Sequence, residues 1–249
     1  DVLFAAFAIV QVMFLFGGAD TLAAVGMTYS DYARQGYFQL VGVVGLAGLL
    51  LIGAYEIAGR RRAVLASGLA LLVLTGVILA SAALRMKLYQ DAYGWTELRF
   101  FVGASIAWLA AGLAIAIALL LTDRMRWIAH GLAVSAVLVT LAISAIGPQA
   151  FVIDENIARA LHPELVPPGG EVGFDTDYGL TLGQDTIPQL VAALDRLGPS
   201  ARRVALVELQ GQKSALSLDD GTRSPFAWNL SRERAREALA AVPSGPSGP

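Results

Sequence analysis

The chain contains no cysteine and only two histidines, His130 and His162. The absence of thiols excludes disulfide bonds, thiolate metal sites and cysteine nucleophiles, and it leaves the redox compartment undecided. Two histidines alone do not favour a histidine-based metal centre. We therefore predict no metal site, no cofactor and no catalytic residues.

Charge is also scarce, and it is unevenly distributed. Asp, Glu, Lys and Arg make up 15% of the residues, against about a quarter in a soluble globular chain. They lie between long apolar runs and in the last hundred residues. The formal net charge of −2 provides no basic field that would attract a nucleic acid. The pattern predicts a membrane region followed by a smaller soluble region, with no nucleic-acid partner.

Long apolar runs occupy residues 2–16, 37–58, 63–84, 100–121 and 127–146. A helix needs roughly 20 apolar residues to cross the hydrocarbon layer of a bilayer. We expect these runs to be helices, because an open strand in lipid leaves backbone groups unpaired and a closed barrel requires alternating polarity. The predicted fold is an all-α polytopic transmembrane bundle of about five spans, with a small, mostly helical soluble tail.

Three segments follow from this reading. Residues 1–147 are predicted to form the transmembrane helical region, 148–243 an extracytoplasmic soluble tail, and 244–249 a flexible linker or tag-like end. The first apolar run is slightly short and starts directly after Asp1, with no Met and no basic segment before it. We therefore expect the chain to begin part-way into a longer protein, with earlier spans missing.

Glycines recur within the second and third runs, at Gly42, Gly45, Gly48, Gly53, Gly68 and Gly76. Small residues let helix backbones approach closely in a membrane, so we expect these faces to pack against other helices. The alternative is that glycine and alanine are simply common in an alanine-rich chain. A transport path normally needs several ionisable groups at mid-depth of the membrane. The sequence places none at mid-depth of these spans, which argues against a transport path contained wholly within this chain.

The arginine cluster at 60–62 suggests the orientation in the membrane. Cytoplasmic loops are enriched in Lys and Arg, so we place this cluster in the cytoplasm. The loops around 19–36 and 85–99 then lie outside, and we call them the outer loops. The tail after Pro148 shares their side. The expected location is the inner (cytoplasmic) membrane of a bacterial cell, with several passes.

The outer loops are rich in aromatic and charged side chains, which permits two interpretations. They could form an aromatic belt with charge pairs that tie the helix ends together. They could instead form a polar site for a ligand or a partner. The predicted site comprises Asp31, Tyr32, Arg34, Tyr89, Asp91, Tyr93, Glu97 and Arg99.

The tail shows helix signals of its own. A short helix is predicted over 154–161, and another from Asp185 to about Leu197, ended by Gly198-Pro199. The run 204–207 fits either a strand or a buried helix. Asn229 is predicted to cap a last helix that reaches about Val242. Asp175 and Asp177 are interpreted as turn-forming acids, because no further oxygen ligands at regular spacing accompany them.

Several strings in the chain together resemble a known family. They are Phe-Leu-Phe-Gly-Gly at 14–18, Thr-Tyr-Ser-Asp-Tyr-Ala-Arg-Gln-Gly at 28–36, Leu-Tyr-Gln-Asp-Ala-Tyr-Gly-Trp-Thr-Glu-Leu-Arg at 88–99, and Trp-Asn-Leu-Ser-Arg at 228–232. The chain is similar to the bacterial integral-membrane family catalogued as domain of unknown function 4153/4173. The resemblance spans nearly the whole chain and implies a longer protein with further spans. It supplies a fold class but no activity and no catalytic residues.

These features leave three hypotheses for the function. We favour a non-enzymatic integral membrane subunit that packs against other membrane helices and presents its outer loops and tail to a partner complex. One alternative is a transporter or permease-like component completed by missing N-terminal spans. The other is a membrane-embedded enzyme of lipid or envelope metabolism that uses the outer-loop carboxylates. The expected partners are the lipid bilayer and other membrane protein subunits.

Overall fold

The computed structural model describes residues 29–59, 61–171, 173–218 and 229–243. Every regular element within these ranges is a helix, which confirms the predicted all-α class. The longer helices are α1 (Tyr29–Ala58), α2 (Arg62–Tyr93), α3 (Glu97–Leu121), α4 (Ile128–Ile146), α5 (Pro148–Leu161), α6 (Thr176–Thr181), α7 (Ile187–Ala193), α8 (Pro199–Leu218) and α9 (Leu230–Ala240). Single 3-10 turns cover Met125–Trp127, Pro163–Leu165 and Gln184–Thr186.

Four of the described helical segments are long and apolar enough to cross a membrane: Tyr37–Ala58, Arg62–Tyr93, Glu97–Leu121 and Met125–Ile146. They confirm the second to the fifth of the predicted spans. The first predicted span, at residues 2–16, lies outside the described residues. Arg60 of the arginine cluster also lies outside them, and the proposed orientation stays a prediction.

The chain divides into two compact units. The membrane unit contains the described residues up to Ala92 together with Leu98–Ile143. The C-terminal unit contains Tyr93–Glu97 and the residues from Ser144 onward. The short segment between α2 and α3 therefore belongs, by its contacts, to the C-terminal unit. The segment boundaries predicted after residues 147 and 243 stay predictions.

Interlocking aliphatic side chains form two clusters in the membrane unit. One contains Ala47, Leu51, Leu71, Leu72, Ala116, Leu120 and Met125, and the other contains Leu40, Ile78, Leu79, Ala82, Met86 and Ile106. In lipid these contacts gain little from water exclusion, so close packing and hydrogen bonds hold the helices together. The packing is close enough that a Cβ atom at Gly68 would lie 2.8 Å from Leu51 Cδ1. Contact at Gly68 and Gly76 confirms the close helix packing expected there.

Side-chain hydrogen bonds between spans supplement this packing. The Trp108 indole N–H donates to Ser135 Oγ on α4 at 3.0 Å. Tyr37 Oη and Ser105 Oγ, on α1 and α3, are 3.1 Å apart. A polar side chain in hydrocarbon is costly without a partner, and these pairs satisfy each other between helices.

The C-terminal unit is a small helical domain around α7. Helices α5, α8 and α9 all pack against α7, and α8 also packs against α6 and α9. Its core consists of fully buried aliphatic side chains, including Val152, Ile153, Leu190, Leu209 and Leu239. The Lys213 ammonium and the Gln210 amide of α8 donate to the carbonyls of Val242 and Pro243, which holds the end of α9 against α8.

Two polar side chains in the tail cap the helices that follow them. Asn229 Oδ1 accepts from the N–H groups of Ser231 and Arg232, at 2.9 and 3.3 Å, which confirms the predicted cap. Asp175 Oδ1 accepts from Tyr178 N–H at 2.9 Å, so this acid caps α6.

Two element boundaries were predicted wrongly. Helix α5 begins at Pro148 instead of residue 154, because Gly147 adopts a φ of +71° and ends α4, and Pro148 is suited to a first helical turn. Helix α7 ends at Ala193, four residues before the predicted end. Pro199 then starts α8. The undecided run 204–207 lies inside α8, so it is helical.

Candidate functional site

The segment that connects α2 to α3 is held in an elaborate set of contacts within the C-terminal unit. Tyr93 ends α2, Gly94 has a φ of +73° and Glu97 starts α3. Left-handed backbone at Gly94 costs little without a Cβ atom. A Cβ at this position would lie 2.7 Å from Asn156 Oδ1. Glycine is therefore required twice over, by the backbone angle and by the close approach of α5.

Asn156 of α5 pairs with the main chain of Trp95. The Trp95 N–H donates to Asn156 Oδ1 at 2.7 Å, and Asn156 Nδ2 donates to the Trp95 carbonyl at 2.8 Å. The side-chain amide thus takes the place of a neighbouring peptide group. Trp95 lies outside any helix, so its half-buried N–H and carbonyl would have no backbone partners without this pairing.

The Trp95 indole ring packs on α5 as well. Its centroid is 5.0 Å from that of Phe151, and the ring planes are 86° apart. Such an edge-to-face arrangement is favoured by the aromatic quadrupole. Main chain and side chain of Trp95 therefore contact the same helix, which fixes this residue in position and orientation.

Glu97 is held from two other directions. Its backbone N–H, one of the unpaired donors at the start of α3, donates to Tyr178 Oη of α6 at 2.9 Å. Its carboxylate accepts a hydrogen bond from the side-chain amide of Gln149. A carboxylate at a helix N-terminus is also favoured by the helix dipole. We call the set Gly94, Trp95, Glu97, Gln149, Phe151, Asn156 and Tyr178 the Trp95 clasp.

Other predicted outer-loop residues make their contacts within the membrane unit. Arg99 Nη2 donates to Tyr89 Oη at 3.0 Å, and the guanidinium carbon lies 4.1 Å from the Tyr89 ring centroid. Lys87 Nζ and Asp91 Oδ2 are 2.7 Å apart, one helical turn from each other. Because the Lys87 and Asp91 side chains are 67% and 38% exposed, this ion pair contributes only a little to stability. The Arg99–Tyr89 contact joins α3 to α2, whereas the Lys87–Asp91 pair lies within α2.

The eight predicted site residues are thus divided between the two units. Tyr93 and Glu97 belong to the C-terminal unit, and the other six belong to the membrane unit. Asp31, Tyr32 and Arg34 lie in the first turns of α1. A shared ligand or partner for all eight stays a prediction.

Sequence reasoning did not identify Gln149, Phe151, Asn156 or Tyr178. Their partners in the clasp lie 52 to 81 positions away along the chain, so no local pattern connects them. One signal was available. Gln149 and Asn156 are seven residues apart, which places both amides on one face of a helix.

A family model described as a domain of unknown function (DUF4153) matches residues 1–193. The chain belongs to this family. No curated protein and no solved structure matches the chain. The DUF4153 match covers the four described spans and every residue of the Trp95 clasp, and it ends where α7 ends. Helices α8 and α9 lie beyond it.

In this DUF4153 protein, the Trp95 clasp holds the α2–α3 connection in a fixed conformation. Its hydrogen bonds join amides, a phenol, a carboxylate and the main chain. Among the described residues, no group of three His, Asp or Glu side chains could hold a metal ion. The chain is a membrane-helical protein whose α2–α3 connection is packed into a helical C-terminal unit.

Proposed function

We propose that this protein is a non-enzymatic subunit of a membrane complex in the bacterial inner membrane. It packs by one face of α1 against a helix of another subunit, and it presents its outer loops and its extracytoplasmic C-terminal unit to that partner. The observation that carries the proposal is a contrast between two sets of glycines in the membrane unit.

Glycines in α2, α3 and α4 are in close contact with neighbouring helices. A Cβ atom would lie 2.8 Å from Leu51 at Gly68, 3.0 Å from Leu132 at Gly112 and 2.8 Å from Ile115 at Gly131. At each of these positions the missing side chain lets a second helix approach, as small residues commonly do in membranes.

The glycines of α1 are different. A Cβ atom at Gly42, Gly45 or Gly53 would have nothing within 4 Å among the described residues. At 100° per residue these three share one side of α1 with Leu46 and Leu49, whose exposures are 49% and 73%. We call this set the α1 glycine face. Glycine costs helix stability unless close packing uses it, which supports a helix of another subunit as its partner.

Site-specific photo-crosslinking in native membranes tests this proposal. A photoreactive residue at position 45 should give an adduct with a second protein. The matched control is position 137 on α4, where Val137 is 59% exposed and should react with lipid only. Adducts at position 45 that contain only lipid, or that stay within the same chain, would contradict the proposal.

Replacement of Gly45 by Leu gives a second test. Because a Cβ atom at this position would have no described residue within 4 Å, the variant should fold and should lose its partner during purification in mild detergent. The conservative change Val137→Leu should retain the partner. Equal recovery of the partner by both variants would rule out the α1 glycine face as the contact.

The proposed orientation has its own test, because the chain lacks cysteine. Single cysteines at Arg203 on α8 and at Arg62 at the start of α2 can be labelled in intact cells with an impermeant maleimide. Labelling at position 203 and protection at position 62 are expected. The reverse pattern would place the C-terminal unit in the cytoplasm.

A further inference from the structure

A cavity of about 260 Å³ lies among the four described spans of the membrane unit. All four spans contribute to its wall, and the wall is almost entirely apolar. An engineered apolar cavity of about 150 Å³ in another protein stays free of water and takes up benzene. By proportion, this cavity has room for about ten carbon atoms. It therefore favours a hydrocarbon group over water as its occupant.

The polar side chains in the wall already have partners inside the protein. Thr75 Oγ1 donates to the Leu71 carbonyl at 2.8 Å, and the Trp108 indole N–H donates to Ser135 Oγ at 3.0 Å. Because these donors are satisfied, polar groups on an occupant would gain no compensating hydrogen bond from them. A plain hydrocarbon chain is the group that fits this wall.

The extent of the cavity matches a chain that lies along the spans. On α4 and the turn before it, the wall runs from Met125 to Leu132, which is about 10 Å along the helix axis. Met125 is the first residue of that span, so the cavity extends from one end of the span towards the middle of the membrane. Ile52 of α1 lines the cavity and is 42% exposed. The cavity therefore reaches the lipid-facing surface at α1, where an acyl chain can enter.

Arginines dominate the charge at this end of the bundle. Arg124 and Arg126 flank Met125, and both are exposed. Within the described part of the chain, neither side chain has an ion-pair partner. The described acidic and basic side chains here are two acids and four arginines: Glu56, Asp123, Arg61, Arg62, Arg124 and Arg126. The Asp123 carboxylate already accepts a hydrogen bond from the Tyr55 hydroxyl. The excess positive charge at the end of the spans favours an anionic headgroup.

We propose that this cavity binds one acyl chain of an anionic phospholipid whose headgroup lies at Arg124 and Arg126. The chain fills the apolar volume from Met125 inward, and the guanidinium groups donate to the phosphate oxygens outside it. Charge complementarity selects an anionic lipid over a zwitterionic lipid with the same chains.

The site does not depend on the partner proposed for the α1 glycine face. Val44 and Leu51, which line the cavity, are about 200° and 180° from Gly42 around the axis of α1. The lipid and the partner helix therefore contact opposite sides of α1, and failure of either proposal leaves the other intact.

Native mass spectrometry of the full chain, purified in mild detergent and titrated with lipid, tests the headgroup. The probes are phosphatidylglycerol and phosphatidylcholine with identical chains. One phosphatidylglycerol should bind saturably and roughly 25-fold more tightly than phosphatidylcholine, because each arginine near an anionic headgroup contributes about five-fold. Equal affinity for the two lipids would overturn the proposal.

Replacement of both arginines assigns this preference to one end of the cavity. Arg124→Gln combined with Arg126→Gln should remove the preference for phosphatidylglycerol and leave phosphatidylcholine binding unchanged. The matched control is Arg203→Gln combined with Arg234→Gln, which changes two exposed arginines of the C-terminal unit. A preference that survives in the first variant, or that is lost equally in the control, would exclude Arg124 and Arg126 as the headgroup site.

Gly48 allows the cavity to be filled without disturbing its wall. It lines the cavity, and a Cβ atom there would have no described residue within 4 Å. Gly48→Leu should therefore fold with an unchanged or higher thermal midpoint. It should weaken the binding of both lipids by at least about ten-fold, because the leucine takes up the volume of the chain. The matched control is Ala70→Leu, at an exposed residue of α2 outside the cavity. A folded Gly48→Leu variant with wild-type affinity would refute the site.

Brominated lipid chains locate the occupant without any change at Gly48, because bromine quenches tryptophan fluorescence on contact. Trp108 lines the cavity, and the difference between wild type and Trp108→Phe isolates its emission. Phosphatidylglycerol with brominated chains should quench this emission saturably, and an excess of the unbrominated lipid should restore it. An unquenched Trp108 would mean that the chain binds elsewhere or that another helix fills the cavity, and either result would overturn the proposal.

Discussion

Replacement of Gly94 by Ala should destabilise the C-terminal unit more than the same change at other left-handed glycines. A non-glycine residue in the left-handed region costs about 1–2 kcal/mol, and the stiffer unfolded chain returns about 0.4–1 kcal/mol. The new Cβ would also lie 2.7 Å from Asn156 Oδ1. This oxygen must move away, which breaks the pairing with Trp95.

The loss of that pairing sets the size of the effect. Asn156 makes two hydrogen bonds to the Trp95 main chain, and each contributes about 1 kcal/mol. The total penalty for Gly94→Ala is then roughly 3 kcal/mol. Gly169 provides the control, because its φ is +81° and a Cβ there would have no described residue within 4 Å. Gly169→Ala should cost only about 1 kcal/mol.

Urea unfolding in mild detergent, followed by tryptophan fluorescence, measures this difference. With a slope near 2 kcal/mol per molar urea, the midpoint for Gly94→Ala should lie about 1 M below that of Gly169→Ala. A double-mutant cycle identifies the cause. In an Asn156→Ala background the colliding oxygen is gone, so Gly94→Ala should cost no more than Gly169→Ala. Equal midpoints for Gly94→Ala and Gly169→Ala with Asn156 intact would refute the reasoning.

Three further predictions concern other parts of the molecule. Asp154→Asn should raise the thermal midpoint near neutral pH, because burial raises the folded-state pKa of this acid. The contribution of the protonated acid to stability is present at acid pH and is lost as the pH rises through the folded-state pKa. Below the pKa of the unfolded chain the midpoints of variant and wild type should converge, and a constant difference across pH would count against burial as the cause. Gly211→Ala on α8 should stabilise the C-terminal unit by about 0.5–1 kcal/mol in urea titrations, because a Cβ there would have no described residue within 4 Å. A lower midpoint would show a contact at this position. Ser135→Ala should lower the free energy of unfolding in detergent by about 0.6 kcal/mol, because it removes the acceptor of the Trp108 indole N–H. In the Trp108→Phe background the same change should cost no stability. An equal loss of stability there would show that the serine acts through another group.

The described spans could be predicted from the sequence because the bilayer simplifies the problem. A run of about 20 apolar residues has one stable solution in lipid, since only a helix satisfies every backbone group internally. The second to fifth apolar runs could be assigned as helices without knowing which helices pack beside them. The cap at Asn229 was equally local, because its acceptor and donors lie within three residues.

Boundaries were less predictable where two neighbouring signals compete. Pro199 fits the end of one helix and the first turn of the next equally well, since proline lacks the N–H that only the interior of a helix requires. The run 204–207 was ambiguous for another reason, because a run this short fits a strand and a buried helix alike. Packing of α8 against α7 and α9 decides for a helix, and a window of four residues carries no information about that contact.

The contacts of the Trp95 clasp could not be predicted from the sequence. The sequence singled out the outer loop at 85–99 as rich in aromatic and charged side chains, and the Trp95 clasp includes three residues of this loop, Gly94, Trp95 and Glu97. The clasp itself depends on side chains of α5 and α6 that are far away in sequence. A hydrogen bond between Trp95 and Asn156 leaves no periodic trace, because neither residue constrains its own neighbours. Hydropathy and end signals, which act over a few residues, determined which segments are helices in this protein. The tertiary structure alone decided that the α2–α3 connection belongs to the C-terminal unit, because that depends on which distant surfaces meet.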